Sequence, residues 1–172
     1  MSKKTRSLTL PALFSALTVV SLYIASVWPT GIFGLVAFAS MFAAAAVIET
    51  GLSGGIYVFI VSSVLGMLIV PNKTAPLLYI VFLGYYPVVK SLIERRGPVL
   101  LQWFLKLLVF NAALTIVWLT LRSVVFAFGE DMPVAALVFL VCNVVFVIFD
   151  YGFSKVILFY MARVSKHIRG SW

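Results

Sequence analysis

The side chains able to do chemistry in this chain are few, and they interrupt long apolar runs. Asn111, Thr115, Trp118 and Arg122 follow one another at offsets of 0, 4, 7 and 11, so a helix carries all four on one face. Asn143, Asp150 and Ser154, at offsets of 0, 7 and 11, make a second such face. If the two helices are adjacent, carboxamides, a carboxylate, a guanidinium and an indole on facing stripes could form a binding cleft. The amides would bond a polar ligand, the indole would stack on it, and Arg122 would meet an anionic group. Tyr85 and Tyr86, set between Gly84 and Pro87, add two rings beside an expected helix kink, and their hydroxyls can bond. In lipid a central charge costs roughly 2.5–3.5 kcal/mol on insertion scales, so such residues face the interior of a bundle.

Catalysis finds less support. Gly51-Leu52-Ser53-Gly54 resembles the serine motif of intramembrane rhomboid proteases. A serine nucleophile needs a base within hydrogen-bond reach, and the one histidine, His167, falls in the basic tail beyond the last apolar run. The segment therefore reads as a glycine-rich turn. One histidine, one cysteine (Cys142) and five scattered acids do not supply the clustered ligands of a metal site. No glycine loop with a lysine is present to cradle phosphate. The expectation is a protein that is not an enzyme and carries no metal or cofactor; an intramembrane enzyme would have to rely on Asp150.

The elements that position these residues follow from composition. Of the 172 residues, 63% are hydrophobic and 10% charged, against roughly 25% charged in soluble domains. That charge cannot cover a water-soluble globule, which excludes a cytosolic enzyme, a nucleic-acid-binding domain and a disordered tail. A membrane-crossing helix takes about 20 apolar residues. Proline and glycine clusters divide the chain into six spans, at about 8–27, 32–48, 56–70, 77–93, 99–126 and 134–164. The segment Glu49–Gly55 is expected to be an irregular turn, and Pro87 to kink span 4. The fold class expected is all-α, a polytopic six-helix membrane bundle forming one domain over residues 1–172.

Orientation follows from Lys and Arg placement. With the N-terminus inside, the inner face collects Lys3, Lys4, Arg6, Lys90, Arg95, Arg96, Arg163, Lys166 and Arg169. The outer face receives Lys73 and Arg122, and Lys106 and Lys155 fall within spans. Both termini are then cytoplasmic, and the net charge of +8 is largely a topology signal.

Counted from the inner ends Val99 and Val164, Asn111 and Asp150 are expected at one depth and Trp118 and Asn143 at another. Facing one another, the stripes would form a polar-aromatic cleft with Asp150 at its floor and Arg122 at its mouth. The same residues could instead serve as interhelical glue, with Asp150 paired to Lys106, Lys155 or Lys90. Lys106 and Lys155 are expected to snorkel toward the inner headgroups. In span 1, Ala12 and Ala16 are small residues four apart, a spacing that lets another helix approach closely.

Taken together, the chain resembles the substrate-binding subunit, or S component, of energy-coupling factor transporters. Its size, its six spans, its cytoplasmic termini and the A-x-x-x-A motif Ala12-Leu13-Phe14-Ser15-Ala16 carry the resemblance. The resemblance implies docking of Ala12 and Ala16 on a membrane coupling subunit driven by cytoplasmic ATPases in trans. It implies a vitamin-like small-molecule substrate bound near the outer face by spans 4 to 6. Tyr85, Tyr86, Asn111, Thr115, Trp118, Arg122, Asn143 and Asp150 are the residues expected to bind it. The setting implied is a bacterial cell membrane; no nucleic acid is expected as a partner. A non-transport membrane scaffold with no small-molecule ligand is the alternative.

Overall fold

A computed structural model describes residues 3–95, 97–125 and 132–165 of the protein. The described residues are helical nearly throughout. Helix α1 covers Lys3–Val27, α2 Ile32–Thr50, α3 Leu52–Ile69, α4 Thr74–Leu78, α5 Tyr86–Glu94, α6 Val99–Val125 and α7 Met132–Phe159. Among the described residues six helices are long and apolar enough to cross a membrane, at Leu8–Val27, Ile32–Thr50, Leu52–Ile69, Thr74–Glu94, Val99–Thr120 and Ala135–Arg163. This is the make-up of a multi-pass membrane protein.

The chain groups into two compact units, Met1–Leu92 with Val156–Trp172, and Ile93–Lys155. In the first, α1, α2 and α3 pack on one another. One core joins Leu22, Ala25, Val36, Ala39, Val70, Ala75 and Tyr79, and a second joins Phe14, Ala43, Ala45, Ala46 and Val58. The alanines of α2 explain the close packing, because short side chains let neighbouring backbones approach and gain dispersion contacts.

The turn between α2 and α3 differs from the irregular segment expected over Glu49–Gly55. The helix breaks only at Gly51, whose φ of +85° is a left-handed conformation open to glycine. Gly54 and Gly55 are helical residues of α3. A Cβ on Gly55 would lie 2.2 Å from Val47 Cγ2, and one on Gly54 1.8 Å from Thr50 Oγ1. These glycines therefore serve helix contact rather than helix breaking.

The fourth span is also built differently from a proline-kinked helix. Helix α4 runs into a π-helical turn at Tyr79–Leu83, closed by the Gly84 amide donating to the Tyr79 carbonyl at 2.6 Å. The chain bends at Gly84 and Tyr85 before α5 begins, so Pro87 is the second residue of a new helix, where its missing N–H is harmless. Tyr79 is fully buried, and its hydroxyl is hydrogen-bonded to Ser62 of α3 at 3.1 Å. Its ring lies against Gly84 so closely that a Cβ there would be 2.6 Å away. At the end of α3, Lys73 Nζ donates to the carbonyls of Met67 and Val70 at 2.7 Å each, satisfying groups the helix leaves open.

In the second unit α6 and α7 run antiparallel. Lys106 meets Asp150, the Phe110 ring stacks on Phe146 with centroids 4.3 Å apart, Asn111 bonds Asn143, and Trp118 packs edge-on to Phe139 at 6.1 Å. The partners step in opposite directions along the two helices, which defines a single register.

Candidate functional site

The polar residues at membrane depth come together in two places along this register. At the first, Asn111 and Asn143 exchange hydrogen bonds. Asn111 Nδ2 donates to Asn143 Oδ1 at 2.8 Å and Asn143 Nδ2 donates to Asn111 Oδ1 at 3.0 Å. Each amide also donates to the carbonyl one turn earlier in its own helix, Leu107 and Phe139, both at 2.8 Å. Both N–H bonds and the oxygen of each amide are therefore engaged. Buried amides need such partners, and in a membrane a bond of this kind is worth about 0.6–1.7 kcal/mol.

At the second place Lys106 bridges two carboxylates. Its Nζ lies 2.6 Å from Glu94 Oε1 and 3.0 Å from Asp150 Oδ2. Lys106 and Asp150 are 4% and 1% exposed, whereas the Glu94 side chain is 40% exposed at the end of α5. The Trp103 ring stands 5.2 Å from the ammonium, close enough to add a cation–π attraction. A lone ammonium in a dry interior would be prohibitive, and paired charges with short hydrogen bonds offset that desolvation.

These contacts correct three expectations. Asn111 is level with Asn143 rather than Asp150, and Trp118 with Phe139 rather than Asn143, a shift of more than one helical turn along α7. The physical reason is charge: the register that neutralises Lys106 with Asp150 prevails over one counted from helix ends. Lys106 does not snorkel, since it is buried in this ion pair. Lys155 is exposed, with its ammonium 5.4 Å from the Tyr151 ring centroid. Of the three lysines considered as partners for Asp150, Lys106 is in direct contact.

The remaining site residues are less concentrated. Thr115 is exposed and donates to the Asn111 carbonyl of its own helix at 2.7 Å. Ser154 likewise donates to the Asp150 carbonyl at 2.7 Å. Trp118 is half-buried against Phe139, and the Arg122 side chain lies outside the described residues. Tyr85 and Tyr86 belong to the first unit. There Tyr85 packs edge-on to Phe59 at 6.2 Å, and Tyr86 is buried with Lys90 Nζ 6.0 Å from its ring centroid. Ala12 and Ala16 are both exposed on α1, opposite the buried Phe14, Ser15 and Thr18.

Glu94 is the member of this cluster that sequence reasoning missed. It precedes Lys106 by twelve positions across the turn at Gly97 and Pro98, and the signal was Lys106 itself, a cation at membrane depth that requires counter-charge. Among the described residues no group of three His, Cys, Asp or Glu side chains gathers as metal ligands. Compared with protein-family models, with curated proteins and with solved structures, the chain has no match.

Proposed function

We propose that the protein is a membrane-embedded, substrate-binding subunit for uptake of a small molecule, a vitamin or related micronutrient. In this reading it resembles the S component of energy-coupling factor transporters and draws energy from a membrane coupling subunit and cytoplasmic ATPases. The observation that carries the reading is the outer face of α1. Ala12 and Ala16 lie exposed there in line with Val20, while the opposite face is buried. A small-residue stripe in a membrane helix lets a partner helix approach to backbone distance. Nine of the thirteen basic residues flank the inner ends of the spans, which supports cytoplasmic termini in a bacterial plasma membrane. The substrate would enter from outside and meet Trp118, Thr115 and Arg122, with the Asn111–Asn143 pair as its floor.

A second reading is a non-transport scaffold that binds another membrane protein. The closed Asn111–Asn143 pair favours it, because amides that satisfy one another are not held ready for a ligand.

Native mass spectrometry of the purified protein, paired with an uptake assay, separates the two. Under the uptake reading a small molecule is retained, and Ala12→Arg abolishes uptake while leaving that molecule bound. No retained molecule, with Trp118→Ala and Arg122→Ala both silent, would sink the uptake reading in favour of the scaffold.

A further inference from the structure

The Glu94–Lys106–Asp150 chain is not used by the proposed function, and its geometry is that of a relay. Lys106 Nζ is within hydrogen-bond distance of both carboxylates, at 2.6 Å and 3.0 Å. The two ends differ in exposure. The Glu94 side chain is 40% exposed beside the exposed turn residues Gly97 and Pro98, whereas the Asp150 side chain is 2% exposed. A buried carboxylate exchanges protons through a hydrogen-bonded neighbour, and Lys106 is such a neighbour, with Glu94 as its other partner.

The geometry points to a proton-exchange site in which Glu94 takes a proton from water, Lys106 passes it on, and Asp150 holds it. The transfer balances without any other reactant. The Lys106 ammonium gives one N–H proton to Asp150 Oδ2 and takes the proton of the Glu94 carboxyl onto the same nitrogen. An O–H bond breaks at Glu94 and another forms at Asp150. The lysine remains an ammonium, Glu94 ends as a carboxylate and Asp150 as a neutral acid. Other charged groups around the chain are these. In the turn after α5, Arg95 is exposed next to Glu94. On α6 the Trp103 ring faces the ammonium. On α7, Lys155 is exposed over Tyr151. Once neutral, Asp150 attracts Lys106 less, so acid at the α5–α6 turn weakens the tie between α6 and α7. The site thus makes that helix pairing responsive to pH, whether or not the protein serves uptake.

Infrared difference spectroscopy of the full chain in lipid nanodiscs, with isotope-labelled aspartate, tests this. The sequence has two aspartates, Asp131 and Asp150, so Asp131→Asn leaves Asp150 as the labelled acid. In that background an isotope-shifted carboxylic-acid band should rise on acidification. Adding Glu94→Gln should slow its rise after an acid jump by about 100-fold, the scale of a lost positioned proton carrier. A merely structural ion pair gives either no labelled acid band or the same rise with and without Glu94→Gln, and either result overturns the proposal. Asp150→Asn should abolish the band; should that variant fail to fold, the isotope label still identifies the band in the Asp131→Asn protein.

Discussion

Single side chains in this protein matter through the partner each one has found. Asn111 and Asn143 use each other, so removing one leaves an amide at membrane depth without its partner, while removing both leaves nothing unsatisfied. Asn111→Leu should lower unfolding stability in mild detergent by about 1 kcal/mol, and Asn111→Leu with Asn143→Leu should recover most of it. Additive losses in a denaturant titration would show that the bonds are not coupled. The Lys106 ion pair is a larger case. Lys106→Met leaves Asp150 without the ammonium 3.0 Å from its oxygen, and breaking a buried pair in this way costs about 3–5 kcal/mol. The expected result is a drop in thermal stability well beyond that of either Asn variant. A drop no larger than theirs would mean the pair contributes little.

At the scale of elements, the fourth span shows a helix interrupted for packing. Tyr79 turns inward to reach Ser62, the backbone widens into a π turn to seat its ring, and Gly84 lies under the ring where no Cβ fits. Gly84→Ala should therefore destabilise the protein by about 1–3 kcal/mol through overpacking, and Tyr79→Leu in the same chain should relieve part of the loss. The pair is checked by a double-mutant cycle on thermal unfolding, and an unchanged stability for Gly84→Ala alone would contradict the close contact. Gly55 tells the same story between α2 and α3. Its hypothetical Cβ meets Val47 at 2.2 Å on a β-branched side chain with little freedom to move, so the helices must separate to admit it.

For the molecule as a whole, the distribution of Lys and Arg sets the expected orientation. Cysteine substitutions in a Cys142→Ser background read it directly. Asn72→Cys, in the exposed turn before α4, should react with a membrane-impermeant maleimide on intact cells. Arg95→Cys, in the exposed turn after α5, should react only after the membrane is opened. The reverse pattern would place the termini outside and remove the support that charge lends to the uptake reading.

Six apolar helices and most of their limits were legible in the chain, because hydropathy and the punctuation of proline and glycine are local properties. The first span, 8–27, coincides with Leu8–Val27, and the fifth begins at Val99 as expected. The stripes on α6 and α7 were legible too, since a helix converts spacing into a face without reference to anything else. Which residue meets which was not. Counting from helix ends set Asn111 opposite Asp150, but register between two helices depends on the energy of the contacts they make, and a buried lysine outweighs a matched length. Glu94 joined the site because a turn returned it to α6, a distance along the chain that no periodicity records. Tertiary structure likewise decided that Gly54 and Gly55 belong inside a helix. A glycine's meaning depends on what lies beside it, and that is a fact of packing rather than of sequence.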